Sequence, residues 1–310
     1  MKKALSPVYL FVAALIWGLS FSAQKSAGAL PAFVLNAARG LVAGAFLFLI
    51  IPLFDLLTKS ERRLFSGKHG LDFSRSELIG GVLCGAMLFL ANGAQQIGIN
   101  GTDLFVGASA GKAAFISALY VVIVPLFGLF LKKPVGIRVW FSIALAVLGS
   151  FLLCFNKESG FGVADLILLG CAAFYALHIT VVDYFSPSVD GVRLSCIQFF
   201  TAGTLSAIAA LILGSPFDFS AIGENIFPIL VLGIGASGIA YTAQILGQRD
   251  TPPAIASLIL SLESVFGVIG AAVFLHETMT GQEIAGCAVM FLSILLAELD
   301  LKSLFRKKKK

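Results

Sequence analysis

The sequence predicts an all-α integral membrane protein with ten transmembrane helices, built as two inverted five-helix repeats with both termini in the cytoplasm. Three observations lead to this prediction: the composition, the spacing of the apolar segments and an internal repeat. Only 13% of the 310 residues are charged and 58% are hydrophobic. Because so few polar side chains cannot cover a soluble domain of this size, we expect a lipid bilayer around the chain.

Apolar segments of membrane-spanning length follow one another along the whole chain. A helix needs about 20 residues to cross about 30 Å of hydrocarbon. The segments cover approximately residues 6–26, 31–57, 77–98, 103–130, 138–155, 163–185, 191–213, 226–248, 253–275 and 280–299. The turn at 98–103 is the least distinct boundary, because it can also be a break within one longer apolar stretch.

The distribution of basic residues orients these segments. With both termini in the cytoplasm, the outer side holds only Lys25 and Lys157 of the 22 basic residues, and Arg39 and Lys112 lie inside spans. All the others lie on the inner side, as the positive-inside rule requires. The basic tail from residue 306 to residue 310 suits anionic lipid headgroups. The net charge of +5 therefore indicates a membrane surface, and nucleic acid is not an expected partner.

Short sequence patterns recur in the same order in the two halves. The third segment contains Ala94-Gln95-Gln96-Ile97-Gly98, and the eighth contains Ala243-Gln244-Ile245-Leu246-Gly247. Weaker matches relate the first, second and fourth segments to the sixth, seventh and ninth. We therefore expect repeats at 1–157 and 158–310, the second with the basic cytoplasmic tail. Since each repeat has an odd number of spans, the two have opposite orientations, as in many secondary transporters.

Several motifs stand along nearly the whole chain: Ala14-Leu15-Ile16-Trp17-Gly18, Ala37-Ala38-Arg39, Gly111-Lys112-Ala113-Ala114-Phe115, Leu262-Glu263 and His276-Glu277. With these motifs the sequence resembles the EamA-type ten-helix branch of the drug/metabolite transporter superfamily. Where many relatives have Glu-Pro in the ninth helix, this chain has Glu263-Ser264. The resemblance implies export, or occasionally uptake, of amino acids, metabolites or toxic compounds across a bacterial inner membrane.

The expected function is therefore secondary active transport of a small metabolite or amino acid, as an exporter working by alternating access and with proton coupling left open. We expect no enzyme activity, no cofactor and no metal site, and a homodimer is left open. One alternative is a membrane-embedded serine hydrolase that uses Ser237 and His276. A channel or a non-transporting membrane sensor is another.

Three charged residues within the apolar segments are the first candidates for the transport site. Charged groups at this depth usually face a cavity or a partner. Arg39 and Lys112 suit a substrate carboxylate or phosphate, and Glu263 suits a proton or a substrate amine. The alternative is an internal ion pair of Glu263 with Lys112 or Arg39 that never contacts substrate.

Polar and aromatic residues form a second group of candidates. Trp17 and Tyr175, which the repeat relates, form aromatic walls for a ligand or pack against helices and lipid. The amides and hydroxyls line a central cavity or join helices by hydrogen bonds. His178 titrates near neutral pH or serves only packing. These candidates are Trp17, Asn92, Gln95, Tyr175, His178, Gln198, Tyr241 and Gln244.

Overall fold

The computed structural model describes residues 5–27, 30–57, 71–108, 110–133, 135–154, 161–274 and 279–298. The predicted all-α class is confirmed, apart from one hairpin of two-residue strands, β1 (Gly101–Thr102) and β2 (Phe105–Val106). A π-helix covers Val231–Ala240. The α-helices are α1 (Ser6–Ser26), α2 (Ala32–Leu57), α3 (Arg75–Asn100), α4 (Ala110–Ala118), α5 (Tyr120–Phe130), α6 (Ile137–Cys154), α7 (Val163–Phe185), α8 (Gly191–Ile212), α9 (Phe219–Glu224), α10 (Ile226–Leu230), α11 (Tyr241–Gln248), α12 (Pro253–Leu260), α13 (Glu263–Phe274) and α14 (Gly281–Glu298).

Apolar helices occupy all ten predicted segments within the described part of the chain. Seven stretches are long and apolar enough to cross a membrane, and three are shorter. The count of ten spans and the cytoplasmic termini stay predictions. The seven are Ala32–Leu53, Arg75–Asn100, Lys112–Phe130, Val163–Phe185, Gly191–Ile212, Ile226–Gln248 and Pro253–Gly270, and the shorter three are Ser6–Ser20, Ile137–Leu153 and Gly281–Ala297.

Two of the predicted spans are broken near their middle, which the sequence analysis did not predict. The fourth breaks at Leu119, between α4 and α5, and the ninth breaks between α12 and α13. At the second break the Ser261 hydroxyl donates to the Leu258 carbonyl at 2.7 Å. Because such a bond competes with the helical backbone pattern, the serine supports a break at a position where this chain has no proline.

The helices pack in a pattern that is preserved when each half is exchanged for the other. From the first half, α3 packs on α7 and α8 of the second half. The equivalent segment of the second half, the π-helix with α11, packs on α1 of the first half, and its π-helix also packs on α2. Likewise α1 packs on α12 and α13, and α7 packs on α4 and α5. The self-related pairs are α2 with α8 and α6 with α14.

Glycines allow the central helix pair, α2 and α8, to approach closely. A Cβ atom on Gly40 would lie 2.8 Å from the Cα atom of Gly203, which is shorter than any normal contact. Small residues at a helix contact are typical of membrane proteins, where close packing replaces the hydrophobic effect between helices. The two halves therefore meet tightly beside the cavity described next.

Candidate functional site

A cavity of about 630 Å³, part of it open to solvent, lies between the two halves. Its wall combines aromatic, amide and charged side chains from α1, α2, α3, α5, α7, α11, α12, α13 and the π-helix. The residues that line it are Trp17, Ser20, Gln24, Arg39, Asn92, Gln95, Tyr120, Tyr175, His178, Ile179, Ala236, Ser237, Tyr241, Gln244, Leu260 and Glu263.

The two helix breaks bring Glu263 and Tyr120 together in this cavity. Glu263 is the first residue of α13 and Tyr120 is the first residue of α5. The Tyr120 hydroxyl donates to Glu263 Oε1 at 3.3 Å. Each residue thus begins the second half of a broken helix, and the pair joins the two halves of the protein at the cavity wall.

Arg39 supplies the positive charge of the cavity. The residue is only 8% exposed, and its guanidinium has no hydrogen-bond or ion-pair partner among the described residues. A buried cation usually has a partner, because removing it from water is costly. The alternative weighed above, an ion pair of Glu263 with Lys112 or Arg39, is not found in the described ranges, so both Arg39 and Glu263 remain available to a ligand.

Lys112 lies outside this cavity, which corrects the expected placement beside Glu263. Its Nζ atom forms an ion pair with Asp165 Oδ2 at 2.7 Å. Because the chain at Gly101–Val106 forms the hairpin, the helix begins at Ala110 and Lys112 lies in its first turn. Asp165 is in the first turn of α7 and also accepts a hydrogen bond from the Gly162 amide at 2.7 Å.

Aromatic side chains form much of the remaining wall, as expected for Trp17 and Tyr175. The Trp17 indole donates to the Ala236 carbonyl of the π-helix at 2.8 Å, and its ring lies 4.6 Å from that of Tyr241. The ring of Tyr175 lies 6.3 Å from that of Tyr120. The hydrogen bond to the π-helix fixes the orientation of the Trp17 ring at the cavity.

Amide side chains hold the tyrosine hydroxyl on the opposite wall. The Tyr175 hydroxyl lies 2.8 Å from Asn92 Oδ1 and 3.1 Å from Gln95 Oε1. Gln244 lines the cavity and donates to Gln248 Oε1 at 2.8 Å. Asn92 and Gln95 thus line the cavity and join α3 to α7 at the same time, whereas the bond from Gln244 stays within α11.

Gln198 differs from the other candidates because it lies behind the wall. The residue is fully buried, and its Oε1 atom is 3.1 Å from His178 Nε2. His178 itself lines the cavity. Gln198 therefore contacts the cavity only through His178.

The cavity is also lined by Tyr120, Gln24 and Ser20, which are not among the site residues predicted from the sequence. Tyr120 has one signal in the sequence, because it is the only tyrosine in the fourth apolar segment. His276, Glu277 and the basic tail lie outside the described residues. No cluster of three or more His, Cys, Asp or Glu side chains that suits a metal ion is found in the described ranges.

Comparisons with known proteins agree with this architecture. An uncharacterized transporter from Archaeoglobus fulgidus is 27% identical over 301 residues, which are 96% of this chain and 87% of the relative. A probable terminal-alkyne amino-acid exporter from Streptantibioticus cattleyicolor is 33% identical over 125 residues, 38% of this chain and 41% of that protein.

The fold and the family assignment extend over the whole chain. A solved crystal structure shares the fold with a TM-score of 0.74 over 99% of both chains, at 19% sequence identity. The EamA-like transporter family matches the chain twice, over residues 5–155 and 162–299. These matches include nearly every helix that lines the cavity. The chain therefore belongs to the EamA-like transporter family.

Proposed function

We propose that this protein is a secondary active transporter that exports a small amino-acid-like zwitterion across a bacterial cell membrane by alternating access. The observation that carries the proposal is the presence of Arg39 and Glu263 in one cavity without an ion pair between them. A binding site for a zwitterion needs one group of each charge, and both must be free to face the ligand.

Arg39 binds the carboxylate in this proposal. A guanidinium presents parallel N–H groups whose spacing matches the two oxygens of a carboxylate. Because Arg39 has no hydrogen-bond or ion-pair partner among the described residues, the substrate carboxylate supplies its counter-charge. The cost of holding an unpartnered cation in an apolar setting thus favours the loaded state.

Glu263 binds the ammonium group. Trp17, Tyr175 and Tyr241 surround the same cavity, and aromatic faces attract cations by about 0.5 to 2 kcal/mol. The carboxylate keeps one protein partner, the Tyr120 hydroxyl at 3.3 Å. Glu263 is also the carboxylate that lines the cavity. It can bind either a proton or the substrate ammonium, so it is the proposed coupling residue.

The arrangement of helices supports alternating access. We take the two related halves to be residues 1–157 and 158–310, with equivalent contacts and one broken helix in each. Such a pair of halves has two equivalent ways of closing around a central site. The breaks lie at the cavity, at the positions of Tyr120 and Glu263. The amino-acid exporter among the relatives supports the substrate class.

Substrate counterflow in proteoliposomes tests the proposal. Vesicles loaded with unlabelled amino acid should transiently accumulate the labelled form, and a proton gradient should drive net transport. Glu263→Gln should abolish the proton-driven flux, and Lys112→Met should retain it in the folded protein. Absence of counterflow for all amino acids, or passive flux at the rate of a channel, would contradict the proposal.

A further inference from the structure

A chain of hydrogen bonds runs from the π-helix to His178 at the cavity wall. The Thr242 hydroxyl lies 2.6 Å from the Gly238 carbonyl and 2.9 Å from the Ser195 hydroxyl. Ser195 accepts a hydrogen bond from Gln198 Nε2 at 3.4 Å, and Gln198 Oε1 lies 3.1 Å from His178 Nε2. All these side chains are at most 9% exposed, so water does not compete for their protons.

The number of proton donors in this series of hydrogen bonds allows one arrangement of the protons. The carbonyl of Gly238 only accepts, so the single hydroxyl proton of Thr242 lies on that bond. Thr242 has no second proton for its short contact with Ser195, so the Ser195 hydroxyl must donate its proton to the Thr242 oxygen. Ser195 is left as an acceptor for an amide N–H, which orients the side chain of the next residue in the chain.

The orientation of Gln198 determines the state of His178. Because the Nε2 atom of Gln198 donates to Ser195, its Oε1 atom faces the imidazole and must accept. His178 therefore carries its proton on Nε2. In the neutral ring this leaves Nδ1 as an acceptor, and Nδ1 has no hydrogen-bond partner among the described residues.

We propose that His178 is a specificity-determining residue that accepts a hydrogen bond at Nδ1 from an N–H of the substrate's ammonium group. Gln198, Ser195 and Thr242 act as positioning residues that hold the ring in this tautomer. The inference rests on the proposed function and deepens it. The site then distinguishes a primary ammonium from a quaternary one, although both satisfy the charge of Glu263 and the aromatic faces.

Nitrogen-15 NMR of histidine-labelled protein tests the tautomer without any ligand. The His178 signals, assigned with His178→Phe, should show a proton on Nε2 and none on Nδ1. Ser195→Ala removes the acceptor that orients Gln198 and should give a mixture of tautomers. Ser206→Ala is the matched control, since it removes a buried hydroxyl from the same helix, and the Ala202 carbonyl is the only hydrogen-bond partner of that hydroxyl among the described residues. A proton on Nδ1 in the wild type would overturn the inference.

Ligand binding tests the selectivity. Glycine, alanine, leucine and phenylalanine are compared with their N,N,N-trimethyl derivatives by calorimetry on the purified full-length protein. The wild type should prefer the primary ammonium by about tenfold, the value of one hydrogen bond to a charged group. His178→Phe should reduce this preference by about tenfold, because Glu263 still accepts a hydrogen bond from the primary ammonium, and it should bind the trimethyl forms as the wild type does.

The outcomes separate the two proposals. An unchanged preference in His178→Phe overturns the specificity role, while binding of amino acids leaves the proposed function in place. If neither form binds the wild type, the proposed function fails instead. Gln198→Leu should reproduce the loss of preference, because its effect passes through the tautomer rather than through contact with substrate.

Discussion

Arg39 and Lys112 are both basic residues within apolar helices, but their surroundings differ. Lys112 pairs with Asp165 at 2.7 Å, and Asp165 is almost fully buried. Arg39 lines the cavity and has no partner among the described residues. In the sequence both residues are lone cations among apolar neighbours. In our proposal, the presence of a partner, rather than depth in the membrane, separates the structural charge from the binding charge.

The largest expected effect comes from neutralising the charges of the cavity. Arg39→Gln or Glu263→Gln should lower counterflow by roughly 100-fold, because each removes a charge-assisted hydrogen bond to substrate that contributes about 1.5 to 3 kcal/mol. Size-exclusion profiles and thermal midpoints should stay near those of the wild type, since neither side chain forms an ion pair with a described residue. Transport by Arg39→Gln at the wild-type rate would remove Arg39 from the site.

Lys112→Met should have the opposite consequence, with lower stability and unchanged transport per folded molecule. Removing one partner leaves the Asp165 carboxylate buried without its counter-charge, at a cost of about 3 kcal/mol. Thermal unfolding in detergent measures the loss, and counterflow normalised to folded protein measures the activity. A stable Lys112→Met protein that does not transport would place Lys112 in the function rather than in the fold.

A double variant sharpens this assignment. Adding Asp165→Asn to Lys112→Met removes the orphaned charge, while the asparagine oxygen can still accept from the Gly162 amide. The double variant should therefore be more stable than Lys112→Met alone by about 1 kcal/mol, as expected for coupled partners. Additive losses in a double-mutant cycle would mean that the pair contributes no coupling energy.

The smallest effect is expected for Tyr120→Phe, which removes one hydroxyl and preserves the ring. Its bond to Glu263 is long, 3.3 Å, so its loss should weaken substrate binding by about fivefold, or about 1 kcal/mol. Tyr9→Phe in α1 is the control, because Tyr9 is 40% exposed and lies outside the cavity. If Tyr120→Phe is as inactive as Glu263→Gln, the hydroxyl has a direct role in transport.

Much of the fold follows from the sequence, because hydrophobic length is a local property. All ten apolar segments contain helices, and the turn near residue 100 is a real break between α3 and α4. Of the predicted site residues, Trp17, Asn92, Gln95, Tyr175, His178, Tyr241 and Gln244 line the cavity together with Arg39 and Glu263.

The remaining features depend on contacts that a single sequence does not encode locally. The partner of Lys112 lies 53 residues away along the chain, so pairing with Asp165 is invisible in a hydropathy pattern. The break at Leu119 lies within an apolar run, and the break after Leu260 is marked only by the polar residues Ser261, Glu263 and Ser264, with no proline at either one. The π-helix likewise has only its glycines as a sequence signal, and these are also typical of close helix packing.

The central claim is that the cavity binds a zwitterion between Arg39 and Glu263, and a ligand-stabilisation screen of the purified protein tests it most directly. The twenty standard amino acids are compared with their amides, which lack the carboxylate, and with their deaminated acids, which lack the ammonium. The account predicts that at least one amino acid raises the unfolding temperature of the wild type more than either derivative does. In Arg39→Gln, the amino acid and its amide should raise the unfolding temperature equally. In Glu263→Gln, the amino acid and its deaminated acid should do so. Equal stabilisation by all three ligands, or selectivity that survives both substitutions, would contradict the account.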